Sequence, residues 1–335
     1  MINKLDFDNK TILITGGAGF IGSNLAFYLQ DNFPKSKIVI FDCFRSNDTF
    51  SNGNLKSFGH YKNLIGFNGE IICGNINNKA DLELINVYKF DLIFHHAAIS
   101  DTRIYDQEIV LKTNVNTFYD ILNLASKNNS TLIYASSAAT YGNSDSPQSV
   151  GKESPDNPYG YSKLIMDQIA LNYAAKNPDM KIVGLRFFNV YGPKEFYKAK
   201  TASMIIQLGH QILDSKAPRL FENSNLIYRD FIYIEDVIQA NLKACATNSS
   251  GVFNVGTGIS RSFQEVADIL QNELNTNLGT DYFPNPYSDS GYQMDTKADI
   301  ENTINNLGFK PNFSLEQGIK SYIPEIIRLH GADSA

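Results

Sequence analysis

The stretch ILITGGAGFIG, residues 12–22, constrains what this chain can fold into more than any other. An apolar run over 10–15 leads into Gly16. Gly19 and Gly22 follow at three-residue steps, and a helical pattern covers roughly 20–32. A tight strand-to-helix turn needs a residue without Cβ, and a pyrophosphate can approach a backbone only where no side chain intervenes. The helix that follows offers its N-terminal N–H groups and positive dipole end to phosphate. Glycine triplets also make plain turns, so the strand–loop–helix setting is what gives this one its weight.

The alternation continues downstream. KIVIFD (37–42), EIIC (70–73), FDLIFHHAA (90–98), STLIYASS (130–137) and KIVGLRFF (181–188) read as strands. Most are near-continuous apolar runs, as expected of parallel strands covered on both faces. Helical patterns lie between them at roughly 79–89, 106–127 and 160–176. Two later runs, RDFIYIED (229–236) and GVFNVG (251–256), flank a helix near 236–247. The pattern predicts an α/β fold: a Rossmann-type doubly wound parallel sheet with a smaller mixed α/β substrate-binding lobe. Residues 1–192 and 228–258 would form the dinucleotide-binding domain. Residues 193–227 and 259–335 would form the interleaved lobe. The long polar stretch over 44–63 reads as a functional flap or a locally disordered segment.

Composition removes other classes. Charged residues make up 19% and apolar ones 43%, as in an ordinary globular protein. A net charge of −6 argues against nucleic acid as a partner. No apolar run approaches a membrane span, and MINKLDFDNKTILIT lacks the architecture of a signal peptide, so cytoplasmic residence is the expectation. Cys43, Cys73 and Cys245 have neither metal nor redox spacing and read as small buried apolar groups. His95 and His96 are adjacent and would point to opposite faces of a strand. No metal is expected.

YASSAATYG (134–142) ends the fifth strand, and ligands of open α/β sheets bind at strand carboxyl ends. Ser137 would sit there with its hydroxyl directed outward. Tyr159 and Lys163 follow one turn apart on the next helix, hence on one face. A lone Y-x-x-x-K is common and means little; beside a dinucleotide fold it becomes a proton-transfer set for an alcohol. Bringing a phenol from about 10 to near 7 takes roughly 4 kcal/mol. One ammonium about 4 Å away in an effective dielectric near 20 supplies around that much. Asp42 ends the second strand where a ribose partner is expected, which favours NAD. Arg45 could meet a 2′-phosphate, which favours NADP, and the choice stays open.

TGGAGFIG, HHAA, SSAATYG, YGYSK, RFFNVYGP and RDFIYIEDV, in that order over nearly the whole chain, resemble the extended short-chain dehydrogenase/reductase superfamily of nucleotide-sugar enzymes. Within it, RFFNVYGPKEFYKAKTASM (186–204), LFENSNLIYRDF (220–231) and NPYSDSGYQ (285–293) resemble the ADP-glycero-manno-heptose 6-epimerases. The resemblance implies Ser137, Tyr159 and Lys163 as catalytic groups and Lys198 as a second acid/base. It implies that Gly16, Gly19, Phe20, Ile21, Gly22, Asp42, Cys43, Arg45, Asn75, Ile76, His96, Ala97, Ala98, Ser100, Asn114 and Val190 line the cofactor with Tyr159 and Lys163. That cofactor would be NADP, with NAD as the alternative. Asn189, Lys200, Gln207, Phe221, Glu222, Asn223, Ser224, Arg229 and Tyr292 would join Ser137 and Lys198 around an ADP-sugar; Lys200 and Gln207 depart from the family pattern. A homo-oligomer and a role in lipopolysaccharide inner-core synthesis are implied as well.

The implied reaction inverts C6 of the heptose by transient oxidation and re-reduction, with acid/base groups on two sides of the carbon. A UDP-hexose 4-epimerase would share every cofactor motif and differ in the substrate lobe. A sugar dehydratase would carry an acidic pair after the strand-end hydroxyl, where this chain has Ala138 and Ala139. A non-catalytic NADP-binding regulator would have no use for the tyrosine–lysine pair.

Overall fold

The computed structural model describes residues 6–286 and 293–333. In chain order the strands are β1 (Thr11–Thr15), β2 (Lys37–Asp42), β3 (Glu70–Cys73), β4 (Leu92–His95), β5 (Thr131–Ser137), β6 (Ile182–Phe187), β7 (Asn189–Tyr191), β8 (Arg219–Phe221), β9 (Tyr228–Tyr233), β10 (Gly251–Val255), β11 (Ser260–Ser262) and β12 (Asp281–Phe283). The helices are α1 (Phe20–Asn32), α2 (Lys79–Asn86), α3 (Gln107–Leu111), α4 (Thr117–Asn128), α5 (Pro158–Lys176), α6 (Met204–Leu213), α7 (Ile234–Ala246), α8 (Phe263–Glu273), α9 (Glu301–Leu307) and α10 (Leu315–Leu329).

The large sheet runs in the order β10-β6-β5-β4-β1-β2-β3, every pairing parallel. Chain order reverses across β1, between β2 and β4, so the crevice for a ligand opens beyond the carboxyl ends of those strands. The apolar runs explain the sheet, since both faces are covered. On one face Leu13, Val39, Ile93 and Leu132 meet side chains of α2, α4 and α5. On the other, Ile12, Ile14 and Ile40 meet α1 and α7. That second layer does not stop at the sheet. It continues without a break through Tyr191, Ile205, Leu270 and Tyr322 to two further sheets, β11-β9-β7 and β12-β8.

Several elements begin elsewhere than the sequence suggests. The run RDFIYIED is strand only to Tyr233, and α7 starts at Ile234. The pattern over 106–127 is split into α3 and α4 by one π-type turn, Lys112–Asn116. The stretch over 44–63 is ordered as a flap. Thr49 bridges Leu55, and Phe50 packs on Ile99, Ile104 and Val110. Cys43 and Cys73 are exposed and Cys245 half-buried, against the expectation that all are buried. Cys73 ends β3, the edge strand of the sheet. Among the described residues no helix is long and apolar enough to cross a membrane.

Candidate active site

A cavity of about 1030 Å³ opens above the carboxyl ends of the large sheet. Its floor is the glycine loop. Gly16 adopts φ +69°, and a Cβ there would lie 2.7 Å from the amide nitrogen of Ala97. A Cβ on Gly22 would lie 2.4 Å from the Gly16 carbonyl oxygen. Both glycines are therefore required by close backbone approach, and the turn delivers α1 end-on to the cavity. This cradle fits the diphosphate of a dinucleotide.

Asp42 lines the cavity, but its carboxylate is already engaged. Oδ2 accepts the Ala18 N–H and Oδ1 the Phe44 N–H, each at 2.9 Å. It thus ties the glycine loop to the start of the flap. Burial pushes its pKa up, and those two amides pull it back.

The proton-transfer set assembles where α5 meets the end of β5. Asn157 caps α5 by accepting the Gly160 N–H, and Pro158 supplies the first helical residue. Gly160 is the reason the helix can come close enough, since a Cβ there would stand 2.3 Å from the Ala139 carbonyl oxygen. Ser137, Tyr159 and Lys163 consequently line the same cavity. The ammonium of Lys163 donates to the Ala135 carbonyl at 2.8 Å and lies 5.9 Å from the Tyr159 ring centre. Burial raises the Tyr159 pKa, while the Ser137 hydroxyl pulls it down. Burial lowers Lys163 to about 8, against the opposing pull of Asp167. In the protein alone the phenol therefore keeps its proton at neutral pH.

Lys198 approaches from the segment between β7 and α6. It sits on a 3-10 turn, Phe196–Thr201, lines the cavity, and lies 5.6 Å over the Phe20 ring. Burial lowers its pKa; Glu195 first and then Asp101 oppose that. Phe20, Ile21, Gly19, Cys43, Asn75, Ile76, His96, Ala97, Ala98, Ser100, Val190 and Asn189 also line this space. His95 and His96 diverge as expected. His95 hydrogen-bonds Thr15, and burial holds both imidazoles neutral with pKa values of about 3.

Other candidates are placed elsewhere. Arg45 is not among the lining residues; Phe44 takes φ +52°, and the Arg45 guanidinium donates to the Tyr197 carbonyl. Lys56 of the flap lines the cavity instead. Asn114 is buried outside the lining; its amide is taken up by both backbone groups of Ile99 and by the Ser162 hydroxyl. Lys200 is exposed and Gln207 donates to the Ala202 carbonyl. Phe221, Glu222, Asn223, Ser224 and Arg229 lie outside the lining set. Arg229 nevertheless shares a face of β9 with Phe231, which lines the cavity. The Ser224 hydroxyl is buried with no protein partner. Tyr292 lies outside the described residues. Sequence reasoning passed over Gly160, Thr201, Met204, Phe231 and Phe263. Only Gly160 carried a usable signal, as a glycine in the first turn of a helix. Among the described residues no cluster of His, Cys, Asp and Glu could hold a metal ion.

Comparison with known proteins places this geometry. Residues 12–256 match the model of the NAD dependent epimerase/dehydratase family. The chain is 48% identical to the ADP-L-glycero-D-manno-heptose-6-epimerase of Helicobacter pylori, with a TM-score of 0.89 over 97% of this chain and 98% of that one. The UDP-N-acetylglucosamine 4-epimerase of Methanobrevibacter ruminantium is 26% identical, with a TM-score of 0.83 over 96% and 99%. The UDP-glucuronic acid 4-epimerase of Bacillus cereus, solved with NAD and a fluorinated nucleotide sugar, is 26% identical, with a TM-score of 0.79 over 95% and 99%.

Proposed function

The chain belongs to the NAD dependent epimerase/dehydratase family, and on that premise we propose that it epimerises C6 of ADP-glycero-manno-heptose, from the D-glycero to the L-glycero form. The observation that carries the reading is the meeting of Tyr159, from α5, and Lys198, from the turn between β7 and α6, at one cavity. The 48% identity to the Helicobacter pylori enzyme supports the choice of sugar.

A bound pyridine nucleotide supplies the hydride acceptor and, after the ketone has turned, the hydride donor. The protein's part is to move protons and hold the sugar. Ser137 orients the C6 hydroxyl, and Tyr159 takes its proton as the C–H bond is emptied. Lys163 and a bound oxidised nicotinamide would together supply the positive charge that lets the phenol give up its own proton beforehand. Once the carbonyl has presented its opposite face, its oxygen is out of line with Tyr159. Lys198 then delivers the proton that restores the alcohol. Arg229, with its planar always-charged fork, is suited to gripping the diphosphate. Lys56 is the flap cation facing the cavity and the better partner for a 2′-phosphate than Arg45, which favours NADP over NAD. The resemblance also suggests a homo-oligomer, which light scattering reads directly.

The test is incubation of the purified protein with one ADP-heptose epimer, and with UDP-glucose alongside, followed by separation of the products. Conversion of the heptose to a mixture of epimers supports the reading. Inversion of UDP-glucose alone transfers it to a 4-epimerase. Nucleotide released on denaturation identifies the cofactor.

A further inference from the structure

The segment that carries Lys198 is closed on itself by one buried side chain. Glu195 has no exposed surface. Its Oε1 accepts the Gly192 N–H at 3.1 Å and the Ser203 hydroxyl at 2.8 Å, and its Oε2 accepts the Ser203 N–H at 2.6 Å. Gly192 ends the approach from β7, and Ser203 opens α6. A single carboxylate therefore joins both ends of the turn between them. The cost is visible at α6: Ser203 occupies the cap position, yet its side chain makes no cap hydrogen bond. A serine there ordinarily accepts from the first turn of the helix; this one donates to Glu195 instead. All three partners of the carboxylate are donors, an arrangement that suits its ionised form.

Lys198 is the cation that this charge answers. It heads the influences that hold Glu195 ionised against burial, and Glu195 heads those that hold Lys198 protonated. Among the described residues the two make no ion-pair contact, so the attraction acts through space. The other charged groups around them are accounted for. Asp101, from the loop after β4, also favours the ammonium, but it is engaged by Arg103 and Asn54. Tyr159, Lys163, Lys56, Lys112, Asp42 and Asp48 line the same cavity as Lys198, and none of them is among the influences on its ammonium. Tyr191 and Tyr322 lie against Glu195, and burial keeps both as neutral phenols.

We propose that Glu195 is a positioning residue for Lys198, its carboxylate fixing the 192–203 segment and providing the countercharge of the lysine ammonium. The inference rests on the reading of Lys198 as an acid/base group only for its consequence in turnover. Its physical content is tested separately, by pH-dependent acetylation of the full-length protein with acetic anhydride. Peptide mass spectrometry reads Lys198, with exposed Lys200 as the internal reference. In Glu195→Gln the midpoint for Lys198 is expected to fall by about 1 pH unit, the scale of one nearby charge, while Lys200 stays put. Glu195→Asp retains the charge on a shorter arm and is expected to show a smaller fall in the same direction. The limb of the pH–rate profile set by Lys198 should move with the midpoint, whereas a merely structural role would lower the rate evenly at every pH. An unchanged Lys198 midpoint in Glu195→Gln overturns the proposal. If that variant does not fold, a wild-type midpoint in Glu195→Asp does so. Lys198→Met, run in parallel, separates the two claims. Lost epimerisation there with an unmoved midpoint in Glu195→Gln sinks only the role of Glu195. Retained epimerisation with a moved midpoint sinks only the catalytic role of Lys198.

Discussion

The two walls of the cavity are built in opposite ways. One is the first turns of α5, a 19-residue helix with a side-chain cap, a proline at its start and a glycine pressed against the neighbouring turn. Tyr159 and Lys163 need only the helical repeat to share a face, and the helix needs only one contact to reach Ser137. The other wall is a six-residue 3-10 turn that includes Ala199 at φ 50° and ψ −124°, a conformation a side chain resists. No repeat places Lys198; a buried carboxylate and an unfavourable backbone angle do. Regular structure sets the position of a group by spacing. Irregular structure has to set it by individual contacts.

The comparison breaks first at the helical wall. In the proposed reaction Tyr159→Phe removes the group that exchanges the proton, and epimerisation should fall by about 10³-fold with bound nucleotide retained. Turnover near the wild-type rate would take Tyr159 out of the reaction. Lys198→Met should cost about 10²-fold and leave release of nucleotide on denaturation unchanged; an unaffected rate would reduce the second wall to a passive surface. Next in size is pH. Lys163 must stay charged to support the phenol, and its pKa is lowered to about 8 by burial. The rate should therefore decline above about pH 8, roughly tenfold per unit once the ammonium is lost. A profile flat to pH 10 would show that Lys163 does not set that limb. The smallest effect sharpens the contrast. Ala199→Gly relieves the strained angle and should raise stability by about 1 kcal/mol, read as a higher Tm. No gain would mean that the turn holds Ala199 without strain.

The same contrast explains what could be read in advance. The parallel sheet follows from buried apolar runs separated by helical patterns, and the glycine cradle from steric need. The tyrosine–lysine pair follows from one helical turn. The errors concern reach through irregular chain. Arg45 lies three residues beyond β2, but the left-handed Phe44 between them turns its guanidinium toward Tyr197. Asn114 falls in a π-type turn, whose extra residue carries its amide toward Ile99 and Ser162. Lys163 reaches the Ala135 carbonyl, a partner in a strand that no spacing within α5 could reveal. Glu195 looked like any charged loop residue.

The apolar layer that runs unbroken from Ile12 to Tyr322 carries a consequence for how such a chain can acquire a new substrate. The segments carrying β8, α6, α8 and α10 share their interior with the large sheet, so exchanging them for a foreign module would tear open that common interior. Changes of specificity are confined to side chains on the cleft surface and to the flap, one residue at a time.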